Sequence, residues 1–422
     1  MSVRKLGWLF AGLELTALVT VLLLKRFDGL DLEVYLGGAR ALVDHGSPYD
    51  AGVQTTHGIL LPFTYTPFAA AVFLPGTVFP FAVTMRLVSI ASILAIGVVA
   101  YLYVAQLNGA LRDRATVKGH VVAASVGIGA QLAGAMLEPV RSTLGFGQIN
   151  ALLMVAVVAD ALLPGRRRTK GLLIGLAAAV KLLPAVFVLF FLFRKDFKSA
   201  GRVVSGFVAA TAVMWLAAPR ASAKYWTELV FETDRIGGRD YVGNQSLRGL
   251  IARFGLPEST QNLVWILAAL AVLALTALVT VRSREPALAL TACSLCMLLI
   301  SPISWTHHWV WCAPILVLLG YLCVRHWRDD RQLAYWLGGL TALSAMLFLI
   351  GPMWYAVRPA NSLFAWLETE SYGLLGLLSL VVLGVFAGRI LPHSVKPLDS
   401  AVEVPVLSVV SSTSRRRTRC SG

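Results

Sequence analysis

Charge is scarce in this 422-residue chain: Asp, Glu, Lys and Arg together make up 14%, and only 22 residues are acidic. With 57% of residues hydrophobic and a mean hydropathy of +0.73, it holds more apolar sequence than one water-soluble core can bury. That excludes an ordinary soluble enzyme and points to a polytopic membrane protein. Cysteine is scarce as well, at five residues. An odd count gives no disulfide framework, and the C-x-x-C of Cys293 and Cys296 has no second pair to complete a zinc site. Both read as buried, inert thiols. HExxH is missing, and so is a DxD pair, since Asp329 and Asp330 are adjacent in a basic loop. No metal or other cofactor is expected, nor the metal-bound nucleotide-sugar chemistry that a DxD serves.

What is abundant is apolar sequence and basic residues, Lys and Arg outnumbering Asp and Glu by 37 to 22. On a soluble protein that excess would suggest nucleic acid. Here it falls in short clusters between apolar runs, which is a signal of membrane topology, and no nucleic-acid partner is expected. Runs near the ~20 residues a bilayer demands lie at Leu6–Leu24 and near 82–107, 119–138, 146–163, 199–218, 261–281, 286–302, 308–324, 334–352 and 371–391, about ten in all. The first has no small-residue cleavage site before Lys25 and Arg26 and reads as a retained anchor. Lys181 and Pro184 interrupt a further run, Leu172–Phe193; two short helices dipping in and back would raise the count to about twelve. Residues 66–80, bracketed by prolines, read as an interfacial or re-entrant segment.

With the amino terminus in the cytoplasm, the crossing count puts Arg112, Arg114 and Lys118 inside. Arg166 to Arg168 with Lys170, Arg282 and Arg284, Arg325, Arg328 and Arg331, and the tail arginines 415–417 and 419 follow, as the positive-inside rule requires. Lys25 and Arg26 are the exceptions. The outer face then collects residues 25–65, 139–146, 219–260, 303–308 and 353–370, and polar chemistry gathers there.

In the first outer loop, "DLEVYLGGARALVDHG" carries Leu32, Tyr35, Leu36, Ala39 and Leu42 at helical spacing and predicts an amphipathic interfacial helix. Asp31 and Tyr35, four apart, share one face. Asp31 is a candidate catalytic carboxylate, against the plainer reading of a solvated loop acid. "LEPVRSTLGFGQINALL" supplies Arg141, Gln148 and Asn150, the last two as site residues or as glue between helices. In the second large loop Arg235, Arg239 and Arg248 stand where the positive-inside rule expects few, fit for holding a phosphate or for pairing with Glu228, Glu232, Asp234 and Asp240. The acidic pair Glu232 and Asp234 resembles half a metal site. Asn244 and Gln245 in "NQS" read as a glycosylation acceptor or as ligands for sugar hydroxyls. Glu14, within the first apolar run, is costly in lipid and marks a function or a helix pair. His307 and His308, among Trp305, Trp309 and Trp311, sit at the outer surface as interfacial residues or site groups. About 100° apart on a helix, one of the two would face a site.

Taken in order, "DLEVYLGGARALVDHGSPYD", "LPFTYTPFAA", "GFGQINALLM", "GLAAAVKLLPAVFVLFFLFR", "GNQSLRGLIARF" and "SPISWTHHWVW" resemble glycosyltransferase family 87. These are integral membrane enzymes of the GT-C class, common in mycobacteria and their relatives. The resemblance agrees with the all-α bundle of about 10 to 12 membrane segments read from the apolar runs over residues 1–400; 401–422 carry no family motif and read as a basic, disordered cytoplasmic tail. It implies a plasma-membrane enzyme with its site on the periplasmic side and polyprenyl-phosphate mannose as donor. The implied product is an α-1,2 linkage on a phosphatidylinositol mannoside, lipomannan or lipoarabinomannan precursor. It places the base at Asp31 and a family histidine at His307 or His308.

The chemistry fits the residue types. Inverting transfer from a lipid phosphate needs one base, and cations that hold the departing phosphate as charge develops. Asp31 suits the first role; Arg141, Arg235, Arg239 or Arg248 with a histidine suit the second, and Tyr35, Gln148, Asn150, Asn244 and Gln245 the sugars. A transferase for arabinose or glucose shares every one of these features. A transporter or flippase would call for inverted repeats, which the two halves lack, and a scaffold gives no reason for polar residues to gather on one face.

Overall fold

No water is present inside a bilayer to bond a backbone N–H or C=O, so long apolar runs must close their hydrogen bonds internally as helices. The computed structural model describes residues 3–23, 27–111, 117–165, 168–283, 285–356 and 362–390. The tail 401–422, Lys25, Arg26, Arg112, Arg114, Arg166, Arg167 and Arg284 lie outside the described residues.

The first half is built from α1 (Val3–Leu23), α2 (Leu30–His45), α3 (Pro67–Phe73), α4 (Phe81–Leu107), α5 (Val117–Gly134), α6 (Glu138–Phe146), α7 (Asn150–Leu162), α8 (Leu172–Val180) and α9 (Val188–Phe193). The second half follows as α10 (Phe197–Ala217), α11 (Pro219–Lys224), α12 (Leu247–Ala252), α13 (Glu258–Arg282), α14 (Pro286–Ile300), α15 (Cys312–His326), α16 (Arg331–Ile350), α17 (Leu363–Thr369) and α18 (Ser371–Ile390). Among the described residues six stretches are long and apolar enough to cross a membrane: α4, α10, α13, Thr306–His326 including α15, α16 and most of α18. α5 and α6, bent by 73° at their junction, would make a seventh. The apolar run 119–138 thus ends early, and 139–146, expected as loop, is helical with Pro139 in its first turn. α14 is buried on every side from Ala287 to Leu299 and forms the centre, whereas α10 and α13 turn most of their apolar side chains outward.

Close helix contact fixes the part that matters for function. A Cβ on Gly175 of α8 would stand 2.3 Å from the Val203 carbonyl oxygen of α10, so only glycine lets these backbones meet. Asp160, in α7, accepts the N–H groups of Gly171 (2.9 Å) and Ile174 (3.1 Å), satisfying donors that the start of α8 leaves open. α8 stops at Val180. Lys181 is extended (φ −142°, ψ 127°), and the chain resumes as a 3-10 turn at Leu183–Phe187 before α9. The interruption expected at Lys181 and Pro184 is there, and proline supplies it by lacking the N–H that a continuous helix needs.

The helix expected in the first outer loop is α2. It begins after Gly29, held in the left-handed region (φ 73°), and ends at Gly46 (φ 74°). Leu32, Tyr35, Leu36 and Ala39 are buried together with Phe63, Phe73 and Met85. A hairpin of β1 (Val53–Gln54) and β2 (Leu60–Leu61), antiparallel with Val53 opposite Leu61, follows. Strands of two residues leave no alternation to read in sequence.

Candidate active site

Four stretches distant in sequence converge: the first turn of α2, the α6–α7 junction, the break after α8, and the 3-10 turn Thr306–Trp311 leading into α15. Between them lies a cavity of about 440 Å³ whose lining includes Asp31, Tyr65, Gln148, Lys181, Arg235, Trp305, His307 and His308. Its size is that of a small-molecule pocket.

Asp31 is set by the chain on either side of Gly29, whose N–H donates to the Gly145 carbonyl (2.7 Å) and ties the start of α2 to the end of α6. Gly147 (φ 68°) ends α6 and places Gln148 beside the carboxylate. Gln148 Nε2 donates to Asp31 Oδ2 (2.7 Å) and lies 3.3 Å from His307 Nε2, while Oε1 accepts from the Tyr35 hydroxyl (2.6 Å). Burial pushes the Asp31 carboxyl above the ordinary carboxylate value; the Gln148 hydrogen bond and the charge of Lys181 pull it back.

Asn150 does not line this cavity but works as a clamp behind it. Its Nδ2 donates to the His307 carbonyl (3.1 Å), which also accepts from Thr143 Oγ1 (3.0 Å), and its Oδ1 accepts from Lys181 Nζ (2.9 Å). Lys181 Nζ stands 3.0 Å from His308 Nε2 and 5.3 Å from the centre of the Tyr65 ring. His308 Nδ1 receives the Trp305 N–H (3.2 Å), so in the neutral ring the proton sits on Nε2. Neighbouring N–H donors at one corner, with Asn150 Oδ1 beside them, suit an anion that accepts from both.

Several expectations are corrected by this geometry. Both histidines line the cavity, because the turn that carries them is a 3-10 helix and their rings lie edge to face, 4.8 Å apart. Arg235 lines it too, although its guanidinium donates to the carbonyls of Leu229 (3.2 Å), Phe63 (3.0 Å) and Thr64 (3.3 Å). Arg141, Arg239 and Arg248 do not line it. Arg141 donates to the Met136 carbonyl, Arg239 pairs with Asp234 and Glu258, and Arg248 lies over Trp265 with Asn262 on its guanidinium. Each has a local partner that explains its place. Asn244 and Gln245 are buried and bonded to backbone: Asn244 to Arg239, Pro302 and Ser304, Gln245 to Val242, Thr369 and Tyr372. They are scaffold, closed both to sugar and to glycosylation. Tyr35 is fully buried and reaches the site through Gln148 and Tyr65. Glu14 is exposed on α1, and Asp234 is held by Arg239. Among the described residues no group of three or more His, Cys, Asp or Glu is placed to hold a metal ion.

Sequence reasoning missed Lys181 as a site residue and read it only as a break. The signal was there, because a lysine inside an apolar run marks a functional site by default. Tyr65 and Trp305, which also line the cavity, carried no such mark.

The model of glycosyltransferase family 87 matches residues 63–302, more than half of the chain. The chain belongs to glycosyltransferase family 87. A polyprenol-phosphate-mannose-dependent alpha-(1-2)-phosphatidylinositol mannoside mannosyltransferase of Mycolicibacterium smegmatis is 36% identical over 341 residues, covering 77% of this chain and 76% of that protein. The protein of the same description in Mycobacterium tuberculosis is 34% identical over 332 residues, 75% of each. A polyprenol-phosphate-mannose-dependent alpha-(1-2)-phosphatidylinositol pentamannoside mannosyltransferase of Mycolicibacterium smegmatis is 37% identical over 337 residues, 78% and 79% of the two chains. No solved structure matches the chain. The family 87 match contains Tyr65, Gln148, Lys181 and Arg235, begins after Asp31 and stops before Trp305, His307 and His308. The resemblance read from sequence extended further, to both ends of the cavity lining.

Proposed function

We propose that this family 87 chain moves mannose, with inversion, from polyprenyl-phosphate mannose to a hydroxyl of a mannosylated phosphatidylinositol, forming an α-1,2 linkage on the outer face of the membrane. Donor, linkage and acceptor class rest on the relatives' descriptions. The reaction type rests on one observation: a carboxylate and a cation cluster line the same cavity.

In this reading Asp31 takes the proton of the acceptor hydroxyl. Gln148 occupies Oδ2 of its carboxylate, and Oδ1 has no hydrogen-bond partner among the described residues. Lys181 and His308 receive the phosphate that leaves as the glycosidic C–O bond breaks, with Arg235 as a further cation on the wall. They bind the leaving group harder as its charge grows, which lowers the barrier instead of only tightening binding. One base and one stabilised leaving group suffice for inversion, so a β-linked donor gives an α-mannoside.

α15 supports placement on the outer face. The 21-residue stretch Thr306–His326 starts at the turn whose His307 and His308 line the cavity and ends beside the basic cluster Arg325, Arg328 and Arg331. A helix of that length spans about 30 Å, one hydrocarbon thickness. If the basic loop is cytoplasmic, the cavity is at the outer surface. The whole reading keeps about 10 to 12 membrane segments, counting the short helices α1, α7, α8 with α9 and α14, and lays α2 at the interface.

The test is transfer of radiolabelled mannose from polyprenyl-phosphate mannose to phosphatidylinositol mannosides by purified wild type and Asp31→Asn, with folding checked by thermal melting. Loss of a general base costs about 10²–10⁴-fold in rate. A folded Asp31→Asn with wild-type activity removes Asp31 as base, and a wild type inert with this donor removes the mannose reading.

A further inference from the structure

We infer that Tyr35 and Tyr65 are positioning residues that hold the base in its working state through a one-directional hydrogen-bond relay, Tyr65 to Tyr35 to Gln148 to Asp31. The inference rests on Asp31 being the base.

The direction follows from which atoms can donate. An ionised carboxylate only accepts, so the Gln148 atom 2.7 Å from Asp31 Oδ2 is the amide nitrogen. Its second hydrogen points to His307 Nε2 at 3.3 Å, which makes that nitrogen the unprotonated one of the neutral ring. The amide oxygen then faces Tyr35, whose single hydrogen fills the 2.6 Å contact. Having given that hydrogen away, the Tyr35 oxygen can only accept across the 2.8 Å contact to the Tyr65 hydroxyl. From Tyr65 through Tyr35 to Gln148 one donor at each step therefore points towards the carboxylate, and the second Gln148 hydrogen serves His307.

The relay is rigid at its centre. Tyr35 is fully buried, stacked on Phe73 at 4.3 Å with an interplanar angle of 1°, and meets Tyr65 edge-on at 4.8 Å. Burial holds its hydroxyl well above the ordinary tyrosine value, so it stays a donor at any working pH. The outer end is at the cavity wall, which Tyr65 lines, with Lys181 over its ring.

A proton taken up by Asp31 goes to Oδ1, and the Gln148 N–H on Oδ2 then loses the negative charge that strengthens its bond. A donor held in place by Tyr35 therefore binds the carboxylate more strongly than the acid. The relay therefore favours the ionised base against the burial that opposes it. The titratable groups around Asp31 are Lys181 from the helix break, His307 and His308 from the 3-10 turn, Tyr35 on its own helix and Tyr65 ahead of α3; Arg235 is the other charge on the cavity wall.

The experiment is the pH dependence of kcat/KM for mannosyl transfer in wild type, Tyr35→Phe, Gln148→Leu and Asp31→Asn, each checked by thermal melting. Tyr35→Phe keeps the stack and removes only the hydroxyl. Its acidic limb is expected about one pH unit higher than that of wild type, a tenfold loss at a fixed acidic pH that shrinks as pH rises. Gln148→Leu should move the limb at least as far. If Tyr35→Phe melts early, Tyr65→Phe carries the same test from the cavity wall, with a smaller shift in the same direction. Limbs that coincide with wild type, or a loss equal at every pH, would overturn the relay. An active Asp31→Asn would overturn the base assignment instead, so the two failures are told apart.

Discussion

Lys181→Met is the substitution that weighs most on the proposed chemistry, because methionine matches the length of the lysine stem and removes only the charge. The structure gives Lys181 a place beside His308 Nε2 at 3.0 Å and Asn150 Oδ1 at 2.9 Å, on the wall of the cavity that Asp31 also lines. Removing one preorganised donor from a developing anion costs about 2.7–4 kcal/mol, or ~10²–10³-fold in kcat. KM should move much less, since the interaction strengthens only as the phosphate departs. Stability should change little: a buried charge disappears, which is neutral or favourable, while Asn150 Oδ1 loses a donor at about 1–3 kcal/mol. There is a second signature in the pH profile. The Lys181 charge lowers the Asp31 pKa, so without it the carboxyl rises further, and a base that works only above its pKa loses activity first at low pH. The acidic limb therefore moves to higher pH. The assay is radiolabelled mannose transfer across a range of pH with melting curves alongside; a Lys181→Met that melts like wild type and keeps kcat within about threefold would refute the phosphate assignment.

Two further substitutions separate site from scaffold. Arg239→Gln, which breaks exposed pairs with Asp234 and Glu258, should leave transfer and melting close to wild type, because exposed ion pairs contribute about 0–1 kcal/mol; a large loss of kcat in the transfer assay would bring Arg239 back to the site. Gly175→Val should force α8 from α10, since its Cβ would meet the Val203 carbonyl oxygen at 2.3 Å and the Phe207 nitrogen at 2.9 Å. A cost of about 1–3 kcal/mol, seen as a lower melting temperature and as activity lost together with the Lys181 position six residues on, is the expected result.

The helical class and the interruption at Lys181 and Pro184 were legible in the sequence because both rest on local rules: apolar length, and a proline that cannot continue a helix. The face of α2 was legible for the same reason, as Leu32, Tyr35, Leu36 and Ala39 follow one helical stripe. Side-chain roles were less so. Tyr35 and Asp31 share that stripe, yet one is sealed beneath Gln148 and the other opens on the cavity, a difference set by the distant α6–α7 junction. Arg235 and Arg239 lie four residues apart in one loop with the same composition around them. One reaches the cavity because the carbonyls of Phe63 and Thr64 draw it in; the other is caught by Asp234 and Glu258. The contacts that seat Gln148 and Arg235 join residues more than a hundred apart, and those of Arg239 lie off any helical or strand repeat, so periodicity encodes neither.

Burying an acid and an ammonium around one cavity is costly for each alone, and the chain meets that cost with polar partners that are themselves pinned. Gln148 is held by Tyr35, Asn150 by the His307 carbonyl, and His308 by the Trp305 N–H. The charged centre is therefore fixed by α2, the α6–α7 junction and the turn before α15. The stretch 225–237 is the largest single block of the remaining wall, with Tyr225, Leu229, Val230, Thr233 and Ile236 facing the same cavity. Those residues carry few of the hydrogen bonds that hold the centre, so a substitution there should leave Asp31, Lys181 and His308 in place. Relatives described by two different acceptors are 36% and 37% identical to this chain, so overall identity does not separate them. On the proposed function, a change of side-chain volume in that wall is expected to alter which mannosyl chain fits while Asp31 and Lys181 stay where they are.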